Sequence, residues 1–365
     1  MNKEEGSQSE ISWGSPNEWI VVLVTILFSG LIVQFPRIFD LDPEVFYPRN
    51  IGLIIFPMLI VYVSWRNNLS INNCIKPIFL LIVSGVFINL LPGDENSDVF
   101  VLSCIHMPFF LWSLYGFSFM GKNWKDNKAR INFLHYNGDF IVITVIILIS
   151  GFLFSAITIG LFELIDLKIE EFYINNIASW GLAGVPILAS YLVLNNSSLV
   201  DKISPLIAKI FTPFVFITLF VFSISIIISD KDIYNDRDLL LVFNIILIAV
   251  MAIILFSLGE SIKFGRSKIQ IVLLFLLSFI SILDNLFALS AIGFRLFEFG
   301  ITPNRMTVLG ANFLILIQLL IVSRQIFIVL KSNSKVETVE KRIAEYLPVY
   351  TVWTIIVVFL FPFLF

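Results

Sequence analysis

The fold class that this sequence predicts is an all-α, polytopic membrane helix bundle of about eleven spans, amino terminus inside and carboxyl terminus outside, and three observations predict it. The first is composition: 58% of the 365 residues are hydrophobic and only 14% are charged, whereas soluble chains are about a quarter charged. The second is a series of apolar runs near the length that crosses a hydrocarbon core about 30 Å thick. The third is the alternation of the polar segments between those runs, one rich in Lys and Arg, the next rich in Asp and Glu. The runs lack the two-residue alternation of an outer-membrane barrel, and an open strand edge in hydrocarbon would leave backbone groups unpaired, so helices are expected throughout.

Taken in order, the runs fall at 19–35, 51–65, 77–91, 99–119, 140–165, 177–194, 210–229, 239–258, 269–293, 307–330 and 347–365. The second and third are short enough to be tilted or re-entrant, which would leave about nine or ten full spans. Pro186 is expected to kink the sixth. Four units organise the chain: a polar leader over 1–18, four spans over 19–120, a basic loop over 121–138 and a seven-span bundle over 139–365. Dividing spans one to five from six to ten would give halves of opposite orientation, as in inverted-repeat transporters. No motif recurs between those halves.

Positively charged loops stay in the cytoplasm. Of the 24 Lys and Arg, sixteen fall on one side: Lys3, Arg66, Lys76, Lys122, Lys125, Lys128, Arg130, Lys202, Lys209, Lys263, Arg266, Lys268, Lys331, Lys335, Lys341 and Arg342. Seven fall on the other, among acidic residues such as Asp94, Glu95, Asp166, Asp230 and Asp236, and Arg324 lies within a span. The leader is acidic and no small-residue cleavage pattern follows the first run, so that run is expected to remain as a helix.

Several function classes drop out. Net charge is −3 with the acidic excess in particular loops, which leaves no basic surface for nucleic acid. The longest inner loops, 121–138 and 331–346, are too short for a soluble catalytic domain, and the sequence holds no G-x-x-x-x-G-K-[ST], H-E-x-x-H or G-x-S-x-G. Cys74 and Cys104 sit in segments that do not readily meet, so neither a disulfide nor a Cys metal site is expected. His106, beside Cys104 and Met107, reads as a hydrogen-bonded packing residue and not as a metal ligand. No cofactor is expected. Membrane lipids are the expected partners, with a protein partner or a second copy of the chain left open.

The candidate intramembrane site centres on Asp284, about 24 Å of helix beyond Lys268 and about 15 Å before Phe294 at the standard rise. A lipid-facing charge at that depth is costly, so Asp284 is expected to face protein or water. Ser278, Ser281, Asn285, Ala288 and Ala291 share its arc, a small and polar stripe suited to a buried face. Two readings stand: an ion- or proton-linked site, or a neutral Asp hydrogen-bonded to a neighbouring helix. Thr307, Gly310, Ala311, Gln318 and Gln325 form a similar stripe on the next span, and Gln318 is the expected partner of Asp284. Arg324, about 10 Å from Lys331, is expected to snorkel to the inner headgroups.

The outer loop before the tenth span reads F-R-L-F-E-F-G-I-T-P-N-R-M over 294–306. Arg295 and Glu298 are one turn apart and positioned to pair, Gly300 suits a helix end, and Thr302 with Pro303 suits a cap and first turn. Asn304 and Arg305 follow at the positive end of the new helix, where an anion such as a lipid phosphate would be favoured. The plainer reading is a well-capped helical hairpin with Arg295 and Arg305 as interfacial anchors.

This loop resembles the R-I-x-E-Y-G-L-T-x-N-R signature of a bacterial family of multi-pass membrane proteins, the domain-of-unknown-function family numbered 4153. Arg295, Glu298, Gly300, Thr302, Asn304 and Arg305 stand at the signature positions. Looser similarity extends over 132–342, including 161–173 and 180–192. The resemblance implies a bacterial inner-membrane setting and a shared fold, with no established activity.

On these grounds the leading expectation is a transporter-like bundle for a small solute or ion, with a cavity near Asp284. The alternative is a membrane-embedded sensor, or a partner- or lipid-binding protein, acting through its outer loops. An intramembrane lipid-modifying enzyme would want clustered His, Asp or Glu, which the sequence does not offer.

Overall fold

The computed structural model describes residues 12–92, 97–163, 167–196, 212–224, 228, 244–254, 268–332 and 337–365. Among these residues there is no strand. Among the described residues nine helices are long and apolar enough to cross a membrane. We number the principal helices in chain order: α1 (Pro16–Val33), α2 (Pro43–Arg66), α3 (Ile71–Leu90), α4 (Asp98–Met120), α5 (Asn127–Glu163), α6 (Glu170–Asn195), α7 (Thr212–Ile224), α8 (Asn244–Ile254), α9 (Lys268–Phe299), α10 (Pro303–Ser332) and α11 (Glu337–Leu364). The shorter α7 and α8 lie within the expected seventh and eighth spans, whose remaining residues are outside the described set. Also outside it are Lys3, Lys202, Lys209, Lys263, Arg266, Lys335 and the acidic residues Asp94, Glu95, Asp166, Asp230 and Asp236.

Local chemistry sets the helix starts. Ser15 caps α1 through its Oγ, which accepts the Glu18 amide at 3.2 Å, and Pro16 occupies the first turn. Asp42 does the same for α2 by accepting the Glu44 amide at 2.9 Å, again with Pro first. These polar starts lengthen the helices beyond their apolar runs. With such starts α2 has 24 residues, and α3 has 20, both of them long enough to cross a hydrocarbon core. The same effect revises the basic loop over 121–138. Helix α5 begins at Asn127 and runs 37 residues, leaving only a short turn after Gly121, whose φ is +54°. Likewise α11 begins at Glu337, so most of the expected loop before the last span is helical. One-turn π segments interrupt α6 at Ile174–Ala178 and α11 at Ile356–Leu360.

Two apolar clusters hold the bundle. One gathers Val22 of α1, Tyr62 of α2, Tyr115 of α4, Tyr136 of α5, Tyr191 of α6 and Val358 of α11. The first four spans therefore share an apolar cluster with later helices. The second cluster joins Leu219, Ile254, Leu277, Leu319 and Ile343, from α7, α8, α9, α10 and α11. Between them the helices leave many large apolar side chains outward, including Ile149, Phe152, Phe154 and Ile157 of α5. Such a surface is stable against lipid and not against water. The protein is a helical membrane protein.

Candidate functional site

Helices α9 and α10 pack as an antiparallel pair joined by the tight turn at Gly300, whose φ of +77° is readily adopted only without a side chain. Asp284 and Asn285 stand at the middle of the 32-residue α9, and Gln318 at the middle of the 30-residue α10. Counted back from the turn, Asn285 lies about 21 Å and Gln318 about 22 Å along their helices, a matched depth. Ser278, Ser281, Asp284, Asn285, Ala288 and Ala291 are all buried, so the small and polar arc faces protein.

The partners are not those expected. Asp284 receives the Ser223 hydroxyl of α7, which lies 2.8 Å from one carboxyl oxygen and 3.0 Å from the other. Gln318 instead accepts the Tyr350 hydroxyl of α11 through its Oε1. The expected Asp284 to Gln318 pair does not form, because α7 and α11 flank the α9–α10 pair and bring hydroxyls to the two side chains. Ser281 donates to the Leu277 carbonyl at 2.8 Å and so serves its own helix. Nearer the turn, Asn312 of α10 donates to Asn244 of α8 at 2.6 Å, a second bond across helices.

Two side chains at this depth keep hydrogen-bonding capacity in hand. Asn285 is fully buried, and among the described residues neither its Oδ1 nor its Nδ2 has a hydrogen-bond partner. Gln318 is also fully buried and its Nε2 is unpartnered. Buried polar groups are nearly always hydrogen-bonded, since an unmet one costs about 1–3 kcal/mol. The middle of the α9–α10 pair thus holds a buried carboxyl on α9 and, on each helix, one buried amide with unmet hydrogen-bonding capacity.

The loop over 294–306 is built on bonds to its own backbone. Thr302 caps α10 by accepting the Arg305 amide at 3.3 Å. The Arg305 guanidinium turns back onto the end of α9, donating to the Phe299 and Gly300 carbonyls at 2.7 Å each, and lies over the Phe299 ring. Its charge thus neutralises the negative end of α9 instead of reaching out to an anion. Among the described residues Arg295 and Glu298 form no ion pair; Glu298 is exposed, and Arg295 and Asn304 are half-buried. The hairpin reading accounts for the loop.

A second polar centre escaped the sequence reading. Glu18 is buried and accepts the Tyr62 hydroxyl at 2.7 Å, the Asn195 amide at 3.0 Å and the Arg66 guanidinium. Arg66 also donates to the Leu194 carbonyl at 2.8 Å. Close by, the Tyr191 hydroxyl donates to the Trp13 carbonyl, and Asn196 exchanges two hydrogen bonds with the Ser12 backbone. The cluster ties α1, α2 and α6 together. A Glu one residue ahead of the first apolar run was the available signal, read instead as part of a polar leader.

The His106 Nδ1 meets the Leu102 carbonyl at 2.9 Å, and Cys104 is buried in the apolar core. Among the described residues no three His, Cys, Asp or Glu gather as a metal site, and both cysteines are free. The chain matches no family profile, no curated protein and no solved structure.

Proposed function

We propose that the protein is a transporter-like bundle in which Asp284, Asn285 and Gln318 form a mid-membrane site for a small ion or polar solute. The observation that carries this reading is the fully buried Asn285, whose amide oxygen and nitrogen are both unpartnered beside a carboxyl. Ionisable and amide groups at mid-bilayer are costly and mark ion or solute pathways when they face the bundle interior. Asn285 offers a donor and an acceptor, Gln318 a donor and Asp284 a carboxyl, a set that can replace part of a hydration shell. The proposal includes about eleven spans, with α7 and α8 belonging to full crossings, and the amino terminus inside. Supporting it are the two further apolar helices beside the nine long ones and the excess of Lys and Arg in one set of loops. The resemblance of the 294–306 loop supports a bacterial inner-membrane setting.

The test is flux. Purified protein in liposomes is loaded with a pH-sensitive dye and, separately, with Na⁺- and K⁺-sensitive dyes. The reading expects flux of one of these ions above that of empty liposomes, and its loss in Asp284→Asn and in Asn285→Leu at equal incorporation. Flux indistinguishable from empty liposomes for all three ions, or unchanged in both variants, would overturn the ion-conducting form of the proposal.

A further inference from the structure

Where α10 ends and α11 begins, the two helices enclose a groove of about 600 Å³. Its α10 wall is apolar, with Leu320, Ile321 and Ile328, and Arg324 projects from the middle of that wall. Arg324 is exposed and forms no hydrogen bond or ion pair among the described residues. Across the groove Arg342 of α11 pairs with Glu345 at 2.9 Å. Two guanidiniums and one carboxylate leave a formal charge of +1 in the groove.

The remaining polar groups are already engaged. Gln325 donates to Thr338 at 2.9 Å, and the Tyr346 hydroxyl donates to the Leu314 carbonyl at 3.0 Å. These bonds fix α10 against α11, so the groove is preformed, and they leave Arg324 as its main unused donor. A guanidinium set among Leu and Ile one to two turns inside a membrane helix wants an anion. Its planar fork matches a phosphate better than a carboxylate-free surface or a water layer does.

We propose that this groove binds the headgroup phosphate of a monoanionic glycerophospholipid, Arg324 and Arg342 holding the phosphodiester oxygens. The first acyl carbons lie along Leu320 and Ile321, on the mid-membrane side of Arg324. The net +1 of the groove matches one phosphodiester charge, and the apolar wall gives a lipid contacts that free phosphate has no means to use. With the orientation proposed above, the lipid belongs to the inner leaflet. The site is separate from the Asp284 centre and stands whether or not that centre conducts.

Thermal unfolding of the full-length, delipidated protein in a neutral detergent tests the assignment. Phosphatidylglycerol is compared with phosphatidylcholine of the same acyl chains and with inorganic phosphate. The expected result is a rise in Tm with phosphatidylglycerol that exceeds the phosphatidylcholine shift. In Arg324→Gln and in Arg342→Gln the rise falls to the phosphatidylcholine level. Lys331→Gln, which removes a neighbouring charge outside the groove, keeps the full rise. Equal shifts with the two lipids, or a full phosphatidylglycerol shift in both arginine variants, would overturn the proposal. An equal loss in Lys331→Gln would replace it with general surface attraction, and an arginine-dependent shift with inorganic phosphate alone would replace the lipid with free phosphate.

Discussion

Glu18 shows how a single residue is held when its charge is taken out of water. Its carboxylate receives hydrogen bonds from Tyr62, Arg66 and Asn195, three donors from two other helices. Removing one partner of a buried ion pair leaves the other charge uncompensated, at about 3–5 kcal/mol, while replacing both partners by apolar or neutral groups is far milder. Arg66 keeps part of its side chain exposed, so Arg66→Met is expected near the lower end, about 3 kcal/mol. The double variant Glu18→Gln/Arg66→Met is expected to recover most of that loss. Thermal unfolding in detergent measures both, and equal Tm losses in the single and double variants would show that the pair is not coupled. This centre was illegible in the sequence because its members lie 48 and 177 positions from Glu18. Asp284 was legible, since a lone carboxyl in an apolar run announces itself. Its Ser223 partner was not, since serines recur in nearly every span and none stands out.

At the scale of helices, small residues set how closely two backbones approach. Gly310 of α10 lies against Trp353 of α11, and Gly30 of α1 lies against Trp180 of α6, so that a Cβ at either glycine would overlap the indole ring. Gly310→Ala and Gly30→Ala are each expected to cost about 1–3 kcal/mol through overpacking. Gly151 and Gly293 meet nothing within 4 Å, so alanine there is expected to be neutral or to stabilise by up to about 1 kcal/mol through helix propensity. Unfolding midpoints of the four variants give the ranking; a loss at Gly151 matching that at Gly310 would show that overlap with the Trp353 ring does not set the cost. The existence of each long helix was readable from its apolar run, but the ends were not. Helix α5 shows why: 37 residues make about 55 Å of helix against a hydrocarbon core about 30 Å thick, so its first turns project into the polar region. There Lys128 and Arg130 are good helix formers whose charge looks like loop to a hydropathy reading.

Over the whole molecule, polarity is turned inward and apolar surface outward. Phe152 and Phe154 of α5 face out, while Asp284, Asn285, Gln318 and Asn312 are buried within the bundle. The charge alternation of the loops is a property of the entire chain and was visible at once; the sharing of one apolar core by early and late helices was not, because it depends on which spans become neighbours. Everything proposed about activity rests on the polar middle of α9 and α10 being in contact with the aqueous phase. Cysteine accessibility measures this most directly. In a Cys74→Ser/Cys104→Ala background, Asn285→Cys is exposed in sealed inside-out membrane vesicles to a small, hydrophilic, charged methanethiosulfonate, with a cysteine at the exposed Ser332 as the positive control. The account predicts that the Asn285 position is labelled, and that labelling slows when Asp284 is also changed to Leu. Complete protection of that position, with the Ser332 control fully labelled, would show a dry packing face and contradict the account.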